Sequence, residues 1–241
     1  MIAILPRRLF ATAGNCNARS LARIAKNYRP RYVHYIGLLL LVCWGQAIAS
    51  SENSDETILN QIIETHWQWT LAQYPEMRLD YGDRSGNRLW TDMSPEAFTA
   101  RYRQAGQFVQ QLEQIEPATL SSLSRVNRSM LLRLLRDKQT EYEDGMHLIA
   151  LDMRSGPQHR HSMIERLPMA TLQDHEDWLV RLSTMPEQLM QYRQLLEQGI
   201  AENRMQAQIV MSRVPGQIEN LLAGTATESP FYKAFQNLPP E

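Results

Sequence analysis

Cysteine is nearly absent from this 241-residue chain: there are two, Cys16 and Cys43, and both precede residue 50. The remainder lacks a thiol, which excludes disulfide staples and cysteine nucleophiles there. Acidic residues are missing from the same opening stretch, where the first is Glu52. Residues 1–50 carry Arg7, Arg8, Arg19, Arg23, Lys26, Arg29 and Arg31, and setting these seven bases aside leaves 18 basic against 26 acidic residues, about −8. A surface of that sign is unsuited to tracking phosphates, so no nucleic-acid partner is expected. Glycine (11) and proline (12) are too sparse for a fibrous or low-complexity chain, while 43% hydrophobic and 21% charged residues describe a chain that folds.

Long apolar runs are lacking too, with one exception. From Tyr35 to Trp44 runs an apolar core of signal-peptide length, followed by Ala47-Ile48-Ala49, the small-residue pattern for cleavage between Ala49 and Ser50. That core is shorter than the roughly 20 residues of a bilayer span, so membrane attachment is expected only through an uncleaved leader. Bulky Val42 precedes Cys43 where a lipoprotein signal needs a small residue, which argues against lipidation. The basic stretch ahead of the core is long, and it fits equally a start codon placed too early, with initiation near residue 33, or an organellar presequence. The organisation read from this is a signal or leader segment over 1–49 and one helical domain over 50–241, in an exported, periplasmic or envelope-associated product.

Period-two alternation is missing throughout, and apolar residues recur instead at helical spacing, which predicts an all-α, irregular multi-helix bundle. In the first helix Asp55 is the expected N-cap, and Ile58, Leu59, Ile62, Ile63, His66 and Trp67 share a face up to Pro75. Ser94-Pro95 starts a second helix carrying Phe98, Tyr102, Ala105, Val109 and Leu112. A third, from about Ser121 to Met146, uses Leu123, Met130, Leu131, Leu134, Leu135 and Tyr142. Met185-Pro186 splits a hairpin of two helices, about Leu172 to Thr184 and Pro186 to Asn203. A last helix over Ala207 to Leu222 is strained by Pro215-Gly216, and Ser229-Pro230 starts a short terminal turn.

Catalytic signatures are equally scarce. There is no Gly-rich phosphate loop, no Gly-x-Ser-x-Gly elbow and no calcium-type acidic loop. His147, Asp152, His159, His161 and Glu165 crowd into nineteen residues, and His159, His161 and Glu165 are the outside candidates for a metal site. His159 and His161 flank Arg160 and match no closed zinc spacing, so a solvated loop is the plainer reading. His175-Glu176 would open a zinc-protease helix motif only with a second histidine at the position of Leu179; instead Trp178 and Leu179 are expected to turn inward. His66, between Ile62 and Trp69, reads as a core histidine before a catalyst. Trp67, Trp69 and Trp90 either line a ligand groove or, more ordinarily, fill the core.

Several segments, taken in order, resemble a known family. They are Pro75 leading to Tyr81-Gly82-Asp83, then Trp90-Thr91-Asp92-Met93-Ser94-Pro95-Glu96-Ala97, then Asp177-Trp178-Leu179, Leu182, Met185-Pro186 and Gly199-Ile200-Ala201, and finally Ser229-Pro230-Phe231-Tyr232-Lys233-Ala234-Phe235. Over residues 57–240 the chain resembles the amino-terminal half of the bacterial family catalogued as domain of unknown function eight-eight-five. Met205-Gln206-Ala207 departs from it where a proline is expected before the next helix. The resemblance implies an exported or lipid-anchored, largely helical, metallopeptidase-like protein. It also implies a His-Glu pair and a Pro-Gly-His-His element in the carboxy-terminal half, with zinc as the cofactor of full-length relatives.

No such element precedes Glu241, so no cofactor and no catalytic or metal residue is assigned to this chain. The leading expectation is therefore the helical amino-terminal part of a metallopeptidase-like hydrolase, shortened and non-catalytic alone. Its partner would be a peptide substrate or the missing carboxy-terminal half. The alternative is a self-standing periplasmic binding or interaction module, which would have closed its own core where a fragment leaves an apolar face uncovered. An independent zinc hydrolase built on the His147 to Glu165 region is a third, outside possibility.

Overall fold

Local capping chemistry marks where three of the described helices begin. The computed structural model describes residues 54–236 and 238, all within one compact unit. The leader, its cleavage site at Ala49 and Ser50 and both cysteines lie outside the described residues. Helix α1 spans Ser54–Gln73. Asp55 sits inside its first turn, not at the cap, and accepts a bond from the Thr119 hydroxyl at 2.6 Å. Helix α2, Pro95–Glu113, starts as expected: the Ser94 hydroxyl accepts from the Ala97 amide at 3.2 Å and Pro95 fills the first position, where its missing N–H costs nothing. Helix α3, Ser122–Glu143, is capped by Ser121. Glu56 of α1 also reaches this cap, accepting from the Ser121 amide and the Ser124 hydroxyl.

Helix α4, Leu172–Ser183, opens on a capping box in which Thr171 and Asp174 bond each other's backbone amides. Helix α5, Met185–Ala201, follows at once with Pro186 in its first turn, giving the expected hairpin. The expected last helix is two: α6, Gln208–Met211, and α7, Val214–Leu222. Pro215 cannot donate to the preceding turn, so it starts a new helix and does not continue the old one. Elsewhere Pro75, Pro117, Pro157 and Pro230 each open a short 3-10 turn. The result is all-α, with no strand among the described residues, and no described helix is long and apolar enough to cross a membrane.

Two cores hold these elements. The first lies among α1, α2 and α3, where Leu59, Ile62, Phe108, Leu112, Leu132 and Leu135 are buried together. Burial of each such side chain contributes about 1.5–3 kcal/mol. The second joins α4 to the turns over residues 157–166 and 230–235, around Trp178, Met163, Ile164 and Ala234. Trp178 is 0% exposed and its indole N–H donates to the Phe231 carbonyl at 3.1 Å.

Several expected core positions face outward. On α3, Leu123 (71% exposed), Val126, Met130 and Leu134 form an exposed stripe at three-and-four spacing, while Leu132 and Leu135 turn inward. Ile58 of α1 and Leu179 of α4 are also exposed, so only Trp178 of the Trp178-Leu179 pair turns inward.

Candidate functional site

The α2 sequence places Phe98, Arg101, Tyr102 and Ala105 at intervals of three, one and three, so all four fall on one side of the helix. That side, the last turns of α1 and the carboxy-terminal end of α3 bound a groove of about 510 Å³. Its size is that of a small-molecule or peptide site. α1 contributes His66, Trp69 and Thr70; the turn after it contributes Tyr74 and Met77; α3 contributes Leu134, Lys138 and Tyr142. His147, from the turn after α3, lines the groove as well. It reaches that position because Gly145, at φ 71°, ends α3 in the left-handed conformation that glycine adopts without strain.

Aromatic rings form a large part of the walls. Tyr102 stacks on Tyr142 with centroids 4.7 Å apart, and Tyr142 stacks on His147 at 4.5 Å with planes only 10° apart. The Tyr142 hydroxyl lies 2.9 Å from the Thr99 hydroxyl, and Tyr102 donates to Glu143 at 2.8 Å, raising the Tyr102 pKa. Opposite, His66 meets the edge of Phe108 at 5.3 Å and Trp69 lies 5.7 Å from the same ring. His66 thus lines the groove on one side and packs on core Phe108 on the other. Burial holds the pKa values of both His66 and His147 below the ordinary imidazole value, with Glu202 opposing the shift at His147.

Among these rings sits Arg101. Its guanidinium lies 5.1 Å from the Tyr74 centroid and 5.1 Å from that of Phe98, and its Nη2 donates to the Asp92 carbonyl. Burial lowers its pKa, against the pull of Tyr74, Asp92 and Glu76, yet an arginine remains cationic. Sequence reasoning missed this residue. The available signal was a cation in register with Phe98, Tyr102 and Ala105, on a helix face otherwise apolar or aromatic.

The residues singled out from sequence do not assemble elsewhere. The three tryptophans part company: Trp69 lines the groove, Trp67 packs on Tyr81 at 4.9 Å, and Trp90 lies against Trp178 at 6.3 Å. His159 Nε2 lies 3.1 Å from the Met153 carbonyl, His161 Nδ1 lies 3.1 Å from the Gln158 carbonyl, and Glu165 pairs with Lys233 at 3.7 Å. Asp152 turns to the amides of Arg154 and Ser155. No cluster of three or more metal-ligating residues occurs among the described residues, so His159, His161 and Glu165 are not brought together as one. His175 is buried with Nδ1 2.9 Å from the Thr171 carbonyl, as befits a first-turn helix residue.

Fold and groove together define an all-α domain with an aromatic-walled cavity and a buried cation. No curated protein is measurably similar to the chain. A family model does match it, over residues 75–241, and the chain belongs to that family, described as Bacterial protein of unknown function (DUF885). The matched span includes the α2 and α3 walls of the groove; His66 and Trp69 precede it.

Proposed function

We propose that this chain is the exported, helical part of a metallopeptidase-like hydrolase and that it holds a peptide in the α1–α2–α3 groove without cleaving it alone. The observation that carries this reading is the groove itself: about 510 Å³, walled by stacked aromatic rings and containing one buried arginine. Apolar walls with a few placed polar groups suit a peptide segment, whose side chains bury while its backbone finds donors. The metallopeptidase-like character that the resemblance implies supplies the substrate class. Export rests on the basic, apolar, Ala47-Ile48-Ala49 order of the leader, with removal between Ala49 and Ser50.

The other reading, a self-standing periplasmic binding module, draws support from the closed core around Leu59, Leu112 and Leu135. The exposed Leu123-Val126-Met130 stripe favours the hydrolase reading, in which a further part of the protein packs there. Assaying the protein from an envelope fraction against a peptide library with added zinc tests the proposal. Bound peptide without turnover, on a chain beginning at Ser50, is the expected result. Chelator-sensitive turnover lost on His159→Ala and His161→Ala would overturn it.

A further inference from the structure

The polar groups on the two sides of the groove differ in what they have left to give. On the α2 and α3 side they are spent within the protein: Tyr102 donates to Glu143, the Tyr142 hydroxyl shares a hydrogen bond with Thr99, and Lys138 pairs with Glu141. On the α1 side, His66, Trp69 and Tyr74 are each half-buried. The His66 ring nitrogens, the Trp69 indole N–H and the Tyr74 hydroxyl have no hydrogen-bond partner among the described residues, and none of these atoms is enclosed. The rings of His66 and Trp69 rest on core Phe108 at 5.3 and 5.7 Å, so the side of each that stays open is the one lining the groove. Charge, by contrast, is closed off. Arg101 keeps Nε and Nη1 enclosed beyond a ligand's reach, spends Nη2 on the Asp92 carbonyl and feels the opposing charges of Asp92 and Glu76. Burial keeps His66 and His147 uncharged at neutral pH. An ionised group entering the groove would lose hydration without gaining a free counter-charge.

We propose that the rim formed by His66, Trp69 and Tyr74 binds the uncharged backbone of an internal peptide segment, while the apolar side chain beside that backbone lies against the Tyr102–Tyr142 wall. This rests on the reading of the groove as a peptide site and names the part of a peptide it takes, a stretch away from the charged termini. An indole N–H only donates, a phenol donates or accepts, and a neutral imidazole does both, so the rim can meet the carbonyl and the N–H of one peptide unit.

Isothermal titration of the full chain with N-acetylphenylalanine amide, a single capped residue, tests this against N-acetylphenylalanine, phenylalanine amide and propylbenzene, which carry an anion, a cation and no polar group. The capped residue is expected to bind at least about tenfold more tightly than each of the others, the effect of one or two net hydrogen bonds. His66→Phe and Trp69→Phe keep a ring against Phe108 but remove the nitrogens. Each is expected to weaken binding of the capped residue by about five- to tenfold and to leave propylbenzene unchanged, a split that a fault in packing would not produce. The comparison of ligands is made on the unaltered protein, so it decides the matter even where a variant fails to fold. Equal affinity for propylbenzene and the capped residue overturns the rim, as does unchanged affinity for the capped residue in both variants. Tighter binding of the free acid or of phenylalanine amide overturns the uncharged assignment and leaves the peptide reading standing. Equal affinity for 4-phenylbutan-2-one, which has a carbonyl but no peptide unit, supports the rim and overturns the peptide reading. No binding of any probe overturns both.

Discussion

Trp90 and Arg181 hold each other twice: the indole N–H donates to the Arg181 carbonyl at 2.7 Å, and the Arg181 guanidinium lies 5.0 Å from the Trp90 ring. Arg181 is 0% exposed, and burial brings its pKa down to about 10. Its guanidinium also donates to the Gly86 carbonyl and the Met163 sulfur, so the pair ties α4 to the loop before α2. Trp90→Phe keeps a ring but loses the donor and weakens the cation–π contact, a cost of about 1–2 kcal/mol. Urea denaturation measures it. A change within about 0.5 kcal/mol, typical of an inconsequential surface site, would contradict the role given to this pair.

Two glycines inside helices are expected to respond with opposite signs to the same substitution. A Cβ at Gly199 of α5 would stand 2.7 Å from the Arg204 carbonyl oxygen and 3.0 Å from that of Leu148, both backbone atoms that cannot swing aside. Gly199→Ala should therefore destabilise by about 1–3 kcal/mol through overpacking. At Gly216 of α7 nothing lies within 4 Å, so Gly216→Ala should stabilise by about 0.5–1 kcal/mol through reduced chain entropy. Thermal unfolding of the two variants side by side gives both signs, and a stabilised Gly199→Ala would refute the packing of α5 on the turn at Leu148.

Acidification should weaken the fold before the carboxylates titrate. Burial puts the folded-state pKa values of His66 and His147 below 6.5, so as pH falls the unfolded chain takes up these protons first. Their contribution is complete above pH 6.5 and is lost as pH drops through the folded values. The lowered carboxylates, Asp83 at about 2 among them, act at lower pH. The denaturation midpoint is expected to fall between pH 7.5 and about 5, and His66→Gln with His147→Gln should flatten that fall. An unaltered chain whose stability is flat or rises over this interval would count against the buried state of the two rings.

Much of this fold was legible where the cause is local. Ser94-Pro95 and Ser229-Pro230 mark element starts because a hydroxyl acts on amides two or three residues away. The inward face of α3 was not legible in this way. Leucine occurs on more than one side of that helix, and the choice of Leu132 over Leu134 is made by α1 and α2, which pack there. Trp178 and Leu179 are adjacent and apolar, yet only the tryptophan has a partner within reach, the Phe231 carbonyl. The groove was hidden for the same reason: Tyr102 and Tyr142 look like core spacing until α2 and α3 bring them face to face.

Hydrogen–deuterium exchange of the full chain, with and without a saturating capped peptide of apolar residues, tests the groove most directly. The account predicts that peptide slows exchange at residues 66–77, 98–105 and 134–147, the segments that line the groove, and leaves α6 and α7 unchanged. Protection confined to α4–α7, or no protection at a saturating concentration, would contradict it.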